Sequence, residues 1–66
     1  MNQEVFDTTI EEIMEVALDI KSYARIAGRM QARGCEKMID AYIDALSESC
    51  SELNELIIGL KTIRSN

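Results

Sequence analysis

Arg33-Gly34-Cys35 interrupts an otherwise helical pattern near the middle of a 66-residue chain, and its reading decides the fold. Glycine takes up the left-handed conformation that ends a helix without the penalty a Cβ would bring. The charges before this point mirror those after it. Lys21, Arg25, Arg29 and Arg33 are spaced by four, and so are Glu36, Asp40, Asp44, Glu48 and Glu52. Folding the chain back at Gly34 sets Arg33 against Glu36, Arg29 against Asp40, Arg25 against Asp44 and Lys21 against Glu48. The pattern predicts an all-α fold, an antiparallel two-helix hairpin forming a single domain over residues 1–66.

Working outward, helix one carries Phe6, Ile10, Ile13, Ala17, Ile20, Ala24 and Ala27 at alternating steps of three and four, a helical period. Val16, Tyr23 and Met30 form a second stripe beside the first. At 100° per residue the two stripes span an arc of about 200°, where one packed neighbour needs little more than about 100°. Helix one is therefore expected to touch more than one other helix. Its start has two readings. Asn2 caps a helix that begins at Gln3, or Thr8 caps it with Glu11 completing a capping box. Phe6, already in register with Ile10, favours the earlier start. Asp7, Glu11, Glu12, Glu15 and Asp19 crowd the first half and the basic residues the end, an order that suits the helix dipole.

Helix two repeats more sharply. Ile39, Leu46, Leu53 and Leu60 recur every seven residues, with Tyr42, Leu56 and Ile63 at the companion position and Ile43, Cys50 and Ile57 widening the face. This reads as a coiled-coil-like seam. Within Ser47-Glu48-Ser49-Cys50-Ser51, Ser49 and Glu52 could form a capping box that splits the helix and gives three helices. The repeat passes through unbroken, which favours one helix. The expected elements run from near Gln3 to Arg33 and from Glu36 to Arg64, each roughly 45 Å long at 1.5 Å per residue. The surplus apolar face of helix one predicts that two hairpins dimerise into a four-helix bundle, or that a different protein covers it.

Composition narrows the class. Hydrophobic residues are 47% and charged residues 29%, proline is absent, and the aromatic content is 5%, which suits aliphatic helix packing rather than a β-sandwich. The net charge of −5 disfavours nucleic acid and anionic membrane surfaces unless the basic residues are segregated. Cys35 and Cys50, roughly 22 Å apart by chain position if one helix holds both, exceed the ~7 Å a disulfide allows. They read as free thiols in a reducing, cytoplasmic setting. Without histidine, two distant cysteines make no metal site, and no cofactor is expected. The first residues lack the order of a signal peptide and no apolar run approaches about 18 residues, so no membrane association is expected.

Few residues invite chemistry. Carboxylate pairs such as Glu11 with Glu15, or Glu52 with Glu55, read as solvated helix faces, because catalytic carboxylates need a pocket that shifts their pKa values. The chain is therefore read as a non-enzyme with no catalytic residues. Cys50 reads as a small core residue on the apolar face. Cys35 reads as a surface or packing residue beside the turn. Leu18, Ile26 and Ile58 fall outside the main apolar arcs and become docking candidates if they cluster.

Two stretches carry a resemblance. Cys50-Ser51-Glu52-Leu53-Asn54-Glu55-Leu56-Ile57 resembles the Ser-Gln-Glu-Leu-Asp motif, with its trailing Leu-Ile, of the small helical-hairpin aspartyl-phosphate phosphatases that control sporulation. Cys50 stands where that motif has serine and Asn54 where it has the aspartate that would carry the activity, so phosphatase activity is not inferred. Tyr42 and the aliphatic pattern after it are similar to small co-chaperones of type III secretion, which are helical hairpins of about this length.

The functional expectation is a small acidic regulator, adaptor or inhibitor that binds itself as a homodimer, a larger protein, or both. Its expected contact surface is Tyr23, Arg25, Ile26, Arg29 and Met30, since tyrosine, methionine and arginine are enriched at interfaces. The alternatives are a secretion-type co-chaperone, and RNA or another polyanion held by Lys21, Arg25, Arg29 and Arg33. Against the polyanion stands the mirrored acidic ridge, which could neutralise those four charges within the hairpin or across a dimer.

Overall fold

The computed structural model describes residues 3–65. It contains two helices, α1 (Gln3–Arg33) and α2 (Glu36–Ser65), packed against each other as an antiparallel hairpin. Thr8 and Thr9 lie inside α1. Their hydroxyls donate back to the carbonyls of Glu4 and Val5, 2.9 Å in each case, so Thr8 is not a cap and the earlier start holds. Asn2, the expected cap, lies outside the described residues.

The turn closes as the sequence dictates. Gly34 sits at φ 75°, in the left-handed region. Its N–H donates to the Gln31 carbonyl at 3.2 Å, and the Cys35 N–H donates to Met30 at 3.0 Å. This pair of bonds is a Schellman motif, which satisfies the last orphan carbonyls of α1. The same two residues launch α2, where the Cys35 carbonyl accepts from the N–H groups of Met38 and Ile39 at 3.1 and 3.3 Å. Two residues thus end one helix and begin the next.

Helix α2 is continuous through Ser47–Ser51. Ser49 is not a cap but the most buried residue of α2, 9% exposed, in a seam it shares with half-buried Ile39, Tyr42, Leu46, Leu53, Leu56, Leu60 and Ile63. On α1 the residues turned inward are Phe6, Thr9, Ile13, Val16, Ile20, Tyr23, Ala27 and Met30, again at alternating steps of three and four. Val16, 7% exposed, is the one buried hydrophobic residue among those described. Ala17 and Ala24, expected in the main stripe of α1, are exposed. The seam runs one position earlier, through Val16 and Tyr23, because the larger side chains of the second stripe remove more apolar surface from water than alanine can.

The molecule is a rod. Its Cα extents are 49 × 14 × 10 Å and its radius of gyration is 15.2 Å, where a compact chain of this length would have about 11 Å. Two helices lie side by side in one layer, and no side chain is fully buried among the described residues. No described helix is long and apolar enough to cross a membrane.

Candidate functional site

Tyr23 and Met30, expected to greet a partner, sit half-buried in the hairpin's own seam. The Tyr23 ring lies 6.3 Å from that of Tyr42 across the seam, tilted by 42°, within the range of a favourable aromatic pair. Ile26 is half-buried at the rim of the seam, while Arg25 and Arg29 are exposed. Arg25 is two residues from both Tyr23 and Ala27, which puts it on the back of α1. The five residues are therefore divided among seam, rim and back and do not form a single patch.

The mirrored ladders do not meet within the hairpin. Lys21, Arg25, Arg29, Arg33, Glu36, Asp40, Asp44 and Glu48 are all exposed, and no ion pair within 4 Å joins them among the described residues. The reason is rotational. Each step of four residues advances about 40° around a helix, so a ridge with that spacing winds across the outer surface instead of tracking the seam. Arg25 and Asp44 occupy the outer backs of their helices and face opposite ways. Four cations on α1, with no acidic residue three or four positions away from Lys21, Arg25 or Arg29, thus stand unneutralised.

The exposed apolar residues show the most order. Ile43 is 50% exposed and Ile57 37%, and Ala17, Ala24 and Cys50 are exposed as well. Cys50 had been expected in the core. It falls one position after the seam residue Ser49, as Ile43 follows Tyr42 and Ile57 follows Leu56. On α1, Ile10, Ala17 and Ala24 follow Thr9, Val16 and Tyr23 in the same way. Reversing a helix inverts its direction and its apparent sense of rotation together, so both columns lie on the same broad side of an antiparallel hairpin. That side carries Ile10, Ala17 and Ala24 beside Ile43, Cys50 and Ile57, with no charge among these six; the α2 column becomes charged only at its ends, at Glu36 and Arg64. The opposite side, one position before the seam, carries Glu12, Asp19 and Arg33 on α1 and Glu52 on α2 among Ile26, Met38 and Ala45. Sequence reading took the apolar columns for core. The signal that separates them is the absence of charge along the middle of one flank of both helices.

Outside these faces lie Met14, 65% exposed, Leu18, 62%, and Ile58, 54%. Leu18 and Ile58 point outward from the backs of different helices and do not cluster. At the tip, Gly34, Cys35, Glu36, Lys37 and Met38 line a shallow, open depression. Both cysteines are free, Cys35 half-buried and Cys50 exposed. No group of three or more potential metal-ligating side chains occurs among the described residues. Comparison of the chain with protein-family models, with curated proteins and with solved structures finds no match.

Proposed function

We propose that the chain is a small non-enzymatic regulator, adaptor or inhibitor, a hairpin that dimerises into a four-helix bundle and acts by occupying a surface of a larger protein. The carrying observation is apolar surface left uncovered: among the described residues seven large hydrophobic ones, Val5, Met14, Leu18, Met38, Ile43, Ile57 and Ile58, are 37–65% exposed. Where such residues line up on one side of the rod, as Ile43 and Ile57 do, they support an interaction surface. The two free thiols support a reducing, cytoplasmic setting.

For the larger partner the accessible part of the expected surface is Arg25, Ile26 and Arg29, a basic back bordered by one aliphatic rim residue. Tyr23 and Met30 support it from the seam beneath. Substituting Ile26→Ser together with Arg29→Glu should abolish capture of the partner from the native host while leaving helicity and assembly mass unchanged. Capture that survives the double substitution would remove this surface from consideration.

The second reading is polyanion binding, favoured by the four unneutralised cations of α1. Salt separates the two. Phosphate contacts lose affinity steeply as ionic strength rises, with a slope near −0.7 to −0.9 per contact on logarithmic axes, whereas helix-on-groove packing does not. With a net charge of −5 the protein-binding reading is the better supported.

A further inference from the structure

The uncharged side of the hairpin suits a second copy of this chain. We propose that the columns Ile10, Ala17, Ala24 and Ile43, Cys50, Ile57 form the face of a twofold homodimer, in which α1 of each copy lies along α2 of the other with both turns at the same end. This rests on the four-helix-bundle reading above and specifies which face makes the bundle and in which arrangement.

Three observations carry it. The aliphatic seam residues next to these columns, Ile13, Ile20, Leu46, Leu53 and Leu60, are only half-buried by the hairpin itself. They point partly toward the same side, so a layer laid there completes their burial together with that of the columns. Near the turn and at mid-rod the two columns differ in size, Ala24 and Ala17 on α1 against Ile43 and Cys50 on α2, while Ile10 and Ile57 match toward the open end. A twofold axis parallel to the rod sets each column over the other, small residues facing larger ones in its inner part, and a self-complementary surface of this kind closes as a dimer.

Charge points the same way. The C-terminal half of α1 carries Lys21, Arg25, Arg29 and Arg33, and the N-terminal half of α2 carries Glu36, Asp40, Asp44 and Glu48. Within one hairpin these residues turn outward and leave each other unpaired. In the arrangement with both turns at one end, the basic half of α1 runs beside the acidic half of the second copy's α2, at matching height. Near the open end, Asp7 comes level with Lys61 of the second copy. Arg25 and Asp44 stay on the outer backs and Arg33 on the opposite side, so the dimer brings the basic and acidic halves alongside at long range, and Asp7 with Lys61 is the pair that flanks the shared face.

The test uses the full chain. Sedimentation equilibrium at high micromolar concentration should give twice the chain mass. Ile43→Glu or Ala24→Glu should shift that mass to the monomer. Met38→Glu, on the charged side, and Leu18→Glu, on the back, should leave it dimeric. If a face variant loses its helicity, wild-type protein still decides the matter: Cys50 alkylation should slow at least tenfold between dilute and concentrated protein, with Cys35 as internal reference. The arrangement is read from Ala17→Cys combined with Cys35→Ser. Under copper phenanthroline it should form a disulfide-linked dimer that is lost when Cys50→Ser is added. A dimer that survives both face variants, with Cys50 reactivity unchanged, overturns the face and leaves the bundle reading standing. A Cys50–Cys50 link in Cys35→Ser alone overturns the arrangement, because it requires the turns at opposite ends. A helical monomer at high concentration overturns the dimer altogether, without touching capture of a larger partner through Ile26 and Arg29.

Discussion

Gly34 shows how one residue can settle a topology. Its φ of 75° costs other L-residues about 1–2 kcal/mol. A Cβ placed there meets nothing within 4 Å, so the cost of adding one lies in the backbone alone. Gly34→Ala should therefore destabilise the hairpin by about 1 kcal/mol net, since the unfolded chain also loses freedom. Asparagine should lose less. Urea denaturation measures both, and an alanine variant as stable as the parent would remove the strain argument. Ser49 is the opposite case, a residue whose local and tertiary signals conflict. With Glu52 it spells a capping box, yet the repeat of Leu46 and Leu53 carries it into the seam. Its hydroxyl makes no hydrogen bond among the described residues, though it is not sealed from water. Ser49→Ala should stabilise by roughly 0.5 kcal/mol through helix propensity. A loss of stability would show that the hydroxyl has a partner in the assembled state.

At the scale of the elements, α2 was legible and α1 only partly so. Four aliphatics repeating every seven residues on α2 admit one seam. On α1, Ala17 with Ala24 and Val16 with Tyr23 are adjacent columns, and a sequence that is apolar at both does not say which faces α2. The side chains that fill more space prevail, and Tyr23 and Met30, expected at a contact surface, line the seam. The charge ladders misled for a related reason: matching order along the chain says nothing of rotation about the axis. The contrast between Tyr23 and Arg25 tests the corrected assignment. Tyr23→Ser should cost the fold roughly 1–2 kcal/mol, combining a lost aromatic pair with lost apolar burial. Arg25→Ser, on the back, should stay within about 0.5 kcal/mol of the parent. Thermal denaturation of the two variants side by side decides it. Equal stabilities would return Tyr23 to the free surface.

For the whole molecule the governing quantity is how little a single copy encloses. A rod of two helices in one layer leaves Val16 as the one buried hydrophobic residue described, and chains of this size seldom stand on such a core without help. Neither a disulfide nor a cluster of potential metal ligands is present among the described residues to supply that help. The association proposed above would supply it, and it has a thermodynamic signature that requires no mutation. If folding and dimerisation are coupled, each tenfold rise in protein concentration adds about 1.4 kcal/mol per dimer. With the usual unfolding entropy per residue, a dimer of this chain should then gain roughly 5 °C in melting temperature per tenfold. The measurement is circular dichroism at 222 nm over a hundredfold range of concentration. Ile43→Glu should flatten the dependence while Met38→Glu keeps it. A parent melting temperature that does not move over that range would mean the hairpin stands alone, and its exposed isoleucines would then belong to a partner other than itself.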